Sequence, residues 1–208
     1  MNSRNTVAVW DIFIRIFHWS LVIAFTVAYF TSEEENAWHI YAGYTVLSLI
    51  IFRILWGVIG SRHARFSDFV CSPRGVYDYI RELRASSAKR YIGHNPLGGW
   101  MVLALLFTLL IVTVSGLKVY AIEGGRGPLA GNPATITLIS AAHAEDDEDS
   151  DKEGTENQDE EFWEDIHEDA TNFMLVLIAL HIAGVIISSR SHRENLVKAM
   201  LTGKKSKE

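Results

Sequence analysis

FWEDIHEDATNFMLVLIALHIAGVIISS, residues 162–189, decides the reading of the fold. It is mostly apolar and long enough to cross a ~30 Å hydrocarbon core as a helix, which takes about 20 residues. It nevertheless carries two imidazoles, His167 and His181. An ionisable side chain inside a membrane is expensive and marks function by default. Fourteen residues at 1.5 Å each set the two rings about 21 Å apart along the axis, within about 40° of one face. His167 therefore belongs to one edge of the helix, and His181 lies deeper, toward the other end.

Three more apolar runs cover residues 9–31, 38–60 and 97–122, so the sequence predicts an all-α protein. It predicts a single membrane domain, residues 1–208, built as a transmembrane four-helix bundle with its fourth helix near 166–189. The 208-residue chain has a net charge of −6, concentrated in one acidic stretch that dilutes its overall hydropathy. The single cysteine, Cys71, excludes an intrachain disulfide, and no C-x-x-C-H motif exists for covalent haem attachment. The first run carries Asp11 and Arg15 and leads straight into a second, so it reads as a retained helix rather than a cleaved signal. The ISAAHAED stretch around Ala144 looks like a peptidase site but has no basic segment of its own before it, and cleavage is not expected there.

Basic residues orient the chain. Residues 61–96 carry Arg62, Arg65, Arg74, Arg81, Arg84, Lys89 and Arg90, and residues 190–208 add Arg190, Arg193, Lys198, Lys204, Lys205 and Lys207. Lys and Arg accumulate on the cytoplasmic side. Both termini and the 61–96 loop are thus expected in the cytoplasm, and the acidic 123–165 segment outside, as in a multi-pass protein of a bacterial inner membrane. The run EDDEDSDKEGTENQDEE has almost no apolar content and is expected to be disordered. It reads either as a solvated spacer or as a landing zone for a basic partner. Membrane lipid is the surrounding medium; nucleic acid is not an expected partner.

His18 lies about eight residues from the cytoplasmic start of helix one, and His181 about as far from the cytoplasmic end of helix four, so their depths match. His39 opens helix two at the outer edge, where His167 opens helix four. The four sort by depth into His18 with His181 and His39 with His167. Two histidines on separate helices can clamp a haem iron axially and leave no open coordination position, which suits electron transfer. Zinc is the rival metal, but two pairs at separate depths make poor four-ligand sites. Gly43 and Gly184, near His39 and His181, leave room for a flat macrocycle or simply allow close helix packing. Arg53, fourteen residues after His39, is a candidate partner for a haem propionate near the deeper pair, or a snorkelling interfacial arginine. Arg15 and Lys118 are weaker candidates of that kind. His63, His94, His143 and His192 read as surface histidines. The second nitrogen of each ligand should donate a hydrogen bond, with Glu164 or Asp165 as candidates for the outer pair.

VWDIFIRIFHWS, WHIYAGYTVLSLIIFRILWGVIGSRHARFSDF, GHNPLGGWMVLALL and LHIAGVIISSRSHRENLVKAMLTGKK together resemble the prokaryotic cytochrome b561 family. That family includes the b-type cytochrome subunit of nickel–iron hydrogenases. The resemblance implies two b haems in a four-helix bundle, ligated at His18, His39, His167 and His181. It implies electron exchange between membrane quinone, ubiquinone or menaquinone, and a partner such as a periplasmic c-type cytochrome or a dehydrogenase subunit. Family members with the same helices oxidise superoxide and reduce quinone, so a quinone-linked oxidoreductase acting at the outer haem is the alternative. The acidic loop, repelling an anion, weighs against superoxide, although Lys118 and Arg126 offer a cationic approach. A cofactor-free membrane anchor is the alternative of another class. The hydrogenase subunit proper often has an additional helix, not found here, which tilts the expectation away from that assignment.

Overall fold

The structure, a computed structural model, describes residues 6–32, 37–85, 87, 89–130 and 149–206. The Ala144 site and His143 lie outside the described residues. In chain order the elements are β1 (Thr6–Ala8), α1 (Ile12–Phe30), α2 (Ala37–Ile59), a 3-10 turn (Arg62–Ala64), α3 (Phe66–Phe69), α4 (Pro73–Arg84), α5 (Pro96–Gly124), α6 (Asp149–Ser191), α7 (Leu196–Thr202) and β2 (Lys204–Ser206). α1, α2, α5 and residues 158–191 of α6 are each long and apolar enough to cross a membrane. Two compact units emerge, one formed by Met1–Phe107 with Met174–Glu208, the other by Thr108–Phe173.

In the first unit α1 and α2 pack through aromatic rings. Phe13 lies 4.7 Å from Trp56 and 6.4 Å from Phe52, ring centre to ring centre. Large apolar side chains on both helices face outward, Phe30 at 77% and Ile59 at 75% exposure, as suits contact with lipid tails rather than water. At one end of this pair a small clasp closes the chain. β1 and β2 run antiparallel with Val7 opposite Lys205, over a core of Val9, Trp10, Ile14, Ala64 and Ala199. The Gly203 carbonyl accepts from the Val9 and Trp10 amides at 2.8 and 3.2 Å. Gly203 has φ +77°, and a Cβ there would sit 2.5 Å from the Trp10 carbonyl oxygen, so only glycine turns the chain here. Glu194 receives Arg90 and Lys205, the latter at 3.6 Å, which fastens the C-terminal segment to the stretch before α5. The basic tail is therefore a folded element with Lys205 buried, not a free cationic end.

The 61–96 loop also contains structure that its charge pattern hid. Ser72 caps α4, Pro73 occupies its first turn, and Tyr79 is buried against Tyr91 at 5.7 Å. Arg74, Arg81 and Arg84 stay exposed along the same helix.

The second unit contains the later part of α5 and the leading part of α6. Thr113 and Ser115 are buried on α5, and their hydroxyls return to the Leu109 and Ile111 carbonyls at 2.9 and 2.8 Å, so neither costs an unmet donor. Lys118 Nζ lies 5.8 Å from the centre of the Trp163 ring. α6 begins at Asp149 rather than near residue 166 and runs 43 residues. Residues 149–161 of the acidic run, expected to be disordered, are thus helical; 145–148 lie outside the described residues. The reason is cooperativity: once the apolar part is helical, each added residue gains a hydrogen bond without a new nucleus. Glu and Gln are good helix formers, and carboxylates near a helix N-terminus meet the positive end of its dipole.

Asp11 holds the clasp to α1 and α2. Its carboxylate caps α1 at the Ile14 amide, 2.9 Å away, and accepts from Trp56 Nε1 at 3.1 Å and from the Ser61 hydroxyl. Burial is the largest single influence and pushes this carboxyl up, but the Ser61, Ile14, Trp56 and Phe13 donors together outweigh it and hold the group below the usual carboxylate range. A depressed folded pKa contributes stability above the unfolded value of 3.8 that is lost as pH falls through the folded one. Asp11→Ala should cost about 1–3 kcal/mol, from a lost cap and an unpaired Trp56 N–H, read by thermal unfolding in detergent at neutral pH. The gap between wild type and variant should close below about pH 4.

Candidate haem site

His39 and His167 have the same local design. His39 Nδ1 lies 2.9 Å from the Ala28 carbonyl oxygen on α1. His167 Nδ1 lies 2.9 Å from the Val112 carbonyl oxygen on α5 and 3.2 Å from Ser115 Oγ. A carbonyl can only accept, so in each ring Nδ1 carries a proton, and in the neutral imidazole Nε2 is then the unprotonated nitrogen. That is the state in which an imidazole ligates a metal, with its other nitrogen fixing ring angle and tautomer. The donors expected to meet Glu164 or Asp165 go instead to a backbone carbonyl. Both carboxylates are exposed, where water solvates them at no cost. Glu164 gathers with Glu123 and Glu160.

Gly116 on α5 explains how His167 comes so close. A Cβ at that position would sit 2.8 Å from the ring Cε1 and 3.1 Å from Nδ1. The glycine thus leaves the space the imidazole fills. Nothing in its sequence context, VTVSGLKVY, marks it as more than a helix-packing residue.

In the first unit, His18 and His181 lie close enough for their charges to interact, which brings together the pair matched by depth. His18 Nδ1 is buried and has no hydrogen-bond partner among the described residues, unlike its counterparts on His39 and His167. Gly43 and Gly184 have open space where a side chain would begin, with nothing within 4 Å. Arg53 is 3% exposed, its guanidinium 4.8 Å from the centre of the Phe66 ring. It is a buried cation, not one that reaches to the surface. Arg15 is bound to the Leu201 carbonyl in the clasp, which draws it toward the C-terminal turn.

His94 is not a surface histidine. Its ring sits 4.6 Å from those of both Trp10 and Phe69, and its Nδ1 is buried without a partner among the described residues. Burial first, then the positive charges of Arg53, Lys205 and His181, push it down to about 3, with Asp68 opposing weakly, so it is neutral at physiological pH. The available signal was its place in GHNP. It stands two residues before a helix-starting proline, where Asn95 Oδ1 caps the Gly98 amide at 2.7 Å and locks the turn that turns the imidazole inward. His63 is also engaged, at 2.9 Å from Asp68.

Comparison with known proteins follows this geometry. The family model described as prokaryotic cytochrome b561 matches residues 9–203. The chain belongs to the prokaryotic cytochrome b561 family. Membership implies a b-type haem, and with the four apolar helices it makes the chain a multi-pass membrane protein. Relatives include proteins named "Probable Ni/Fe-hydrogenase B-type cytochrome subunit". The one from Rhodobacter capsulatus is 27% identical over 160 residues, covering 61% of this chain and 60% of the relative. That from Rhizobium leguminosarum bv. viciae is also 27% identical, covering 60% and 64% respectively. The Azotobacter vinelandii protein is 22% identical, covering 98% of this chain and 90% of the relative. The chain thus spans under two thirds of the length of the first two. No solved structure matches.

The residues present fit a b haem. Two imidazoles are anchored through Nδ1, two glycines stand open, and buried nitrogens on His18, Arg53 and His94 have no hydrogen-bond partner among the described residues. Gly116→Leu should force the His167 ring aside at an overpacking cost of about 1–3 kcal/mol. One b-haem signal in the low-temperature EPR spectrum should shift or vanish while any other stays in place.

Proposed function

We propose that this cytochrome b561 is a di-haem electron carrier of the bacterial inner membrane, with one haem held by His18 and His181 and the other by His39 and His167. The observation that carries this reading is the anchored Nδ1 of His39 and His167, which fixes the plane and tautomer of each ring as ligation through the other nitrogen requires. The pairing of His39 with His167 rests on their matched depth in the sequence. A bis-histidine b haem supplies one-electron exchange without an open coordination position. The protein's contribution is to set ring orientation and tautomer through the Ala28 and Val112 carbonyls. It also keeps water away with the apolar side chains around them.

Electrons are proposed to pass between the quinone pool and a redox partner. The names of the relatives make a nickel–iron hydrogenase the first partner to test, against the tilt that helix number alone gave. A c-type cytochrome or another dehydrogenase subunit is the next. The β1–β2 pairing supports a topology with both ends on one side, and the Lys/Arg distribution assigns that side to the cytoplasm. Superoxide oxidation is the less favoured chemistry. Lys118 lies over Trp163, and Glu161, Glu164, Asp165, Glu168 and Asp169 are all exposed beside His167 in sequence.

A pyridine haemochrome assay on the purified protein should give two b haems per chain. His18→Ala and His181→Ala should each remove the same one, and His39→Ala and His167→Ala the other, as seen in reduced-minus-oxidised spectra. A count of one, or of none, would contradict the di-haem reading, and none would leave the anchor.

A further inference from the structure

Five buried side-chain nitrogens of the first unit, on Arg15, His18, Trp19, Arg53 and His94, have no hydrogen-bond partner among the described residues, and two of them, on Arg53 and His94, lie beside the same aromatic ring. Arg53 is 3% exposed, and its Nη1 has no hydrogen-bond partner among the described residues. His94 Nδ1 is in the same condition. A buried guanidinium without an anion is among the costliest arrangements a fold can keep. The carboxylates within electrostatic range of the two are Asp11, which faces Arg53, and Asp68, which faces His94. Both are already engaged. Asp11 accepts from Ile14, Trp56 and Ser61. Asp68 takes His63 at 2.9 Å and Arg62 at 3.6 Å. Lys205, the other cation near His94, is matched by Glu194.

The two donors are held as one unit. Phe69 lies 4.6 Å from the His94 ring and 6.0 Å from the Arg53 guanidinium, so one aromatic ring backs both. Trp10 closes the far side of His94, and Phe66 the near side of Arg53. Glycines seat the two phenylalanines. A Cβ at Gly57 would fall 2.1 Å from the Phe66 ring, and one at Gly99 2.6 Å from the Phe69 carbonyl oxygen. Guanidinium and imidazole are close enough for the Arg53 charge to act on His94. His181 lies within electrostatic range of His94.

We propose that Arg53 and His94 form a joint receptor for a propionate of the haem held by His18 and His181. The guanidinium supplies charge and a planar fork that matches a carboxylate, and the imidazole Nδ1–H supplies one further directed donor. Both act as positioning residues that also screen the propionate charge from the iron. This rests on the di-haem reading above, and it adds His94, which lies outside the four-histidine ligand set.

The test uses the purified holoprotein. His94→Phe keeps an aromatic ring between Trp10 and Phe69 but removes the donor; His94→Asn restores a donor near the place of Nδ1. Haem count, the midpoint potential of each haem against pH, and the resonance Raman propionate-bending band are read for each. His94→Phe should retain both haems, shift the propionate band, and lower the potential of only the haem that His18→Ala removes. That lowering should shrink at acid pH, where the propionate is protonated, and His94→Asn should largely reverse it. Arg53→Lys, which loses the fork, should move the same band and the same haem even if His94→Phe does not accumulate. Unchanged band and potential in His94→Phe, or the same shift in Phe and Asn variants, would overturn the proposal. Loss of that haem from both His94 variants would place His94 among the axial ligands and overturn it too. A wild-type chain without haem defeats the earlier reading and this one together, whereas haem-loaded protein insensitive at His94 and Arg53 defeats this one alone.

Discussion

An imidazole placed in a helix that faces hydrocarbon has no water to receive its N–H, so the fold must provide an acceptor or leave the cost standing. His39 and His167 meet this constraint in the same way, by donating to a backbone carbonyl of another helix. One bond thereby decides three things at once. It places the proton on Nδ1, fixes the ring plane against a neighbouring helix, and turns the unprotonated nitrogen outward. The small residues around His167 follow from it: Ser115 lies beside the ring, and Gly116 must have no side chain for the ring to approach.

Where the helices end, the same accounting is carried by side chains. Asp11 spends its carboxylate on the α1 cap, an indole and a hydroxyl; Asp68 is taken by His63 and Arg62; Glu194 is taken by Arg90 and Lys205. These pairings are local and mutually exclusive. Among the described residues the buried nitrogens left without a partner are on Arg15, His18, Trp19, Arg53 and His94, and the last two share the Phe69 ring.

The four spanning segments were legible in the sequence because crossing hydrocarbon demands an apolar length that few other structures need. His18, His39, His167 and His181 stand out in the sequence because polar groups in such segments are rare, and their role as ligands is the proposal made above. Other features were hidden for physical reasons. The acidic run before residue 162 reads as disordered when judged by its composition, but it is covalently continuous with a helix that supplies its nucleus. The ribbon of Thr6–Ala8 with Lys204–Ser206 joins three-residue segments with all four spanning helices between them in sequence, too short to show any period. α4 was masked by its arginines. His94 was misread because its burial comes from Trp10 and Phe69, residues distant in sequence that no local pattern connects to GHNP.

The ribbon has a consequence for biosynthesis. All four spanning segments lie between β1 and β2 in the chain, so β1 must wait for every one of them to be made before its mate exists. During that interval the hydrophobic segments enter the bilayer with β1 unlatched. The pairing of greatest sequence separation therefore forms late, which is where a high loop-closure cost would place it. Closure of the latch becomes a molecular receipt that the four spanning segments between the strands have been delivered, since a chain cut before β2 has nothing to hold β1.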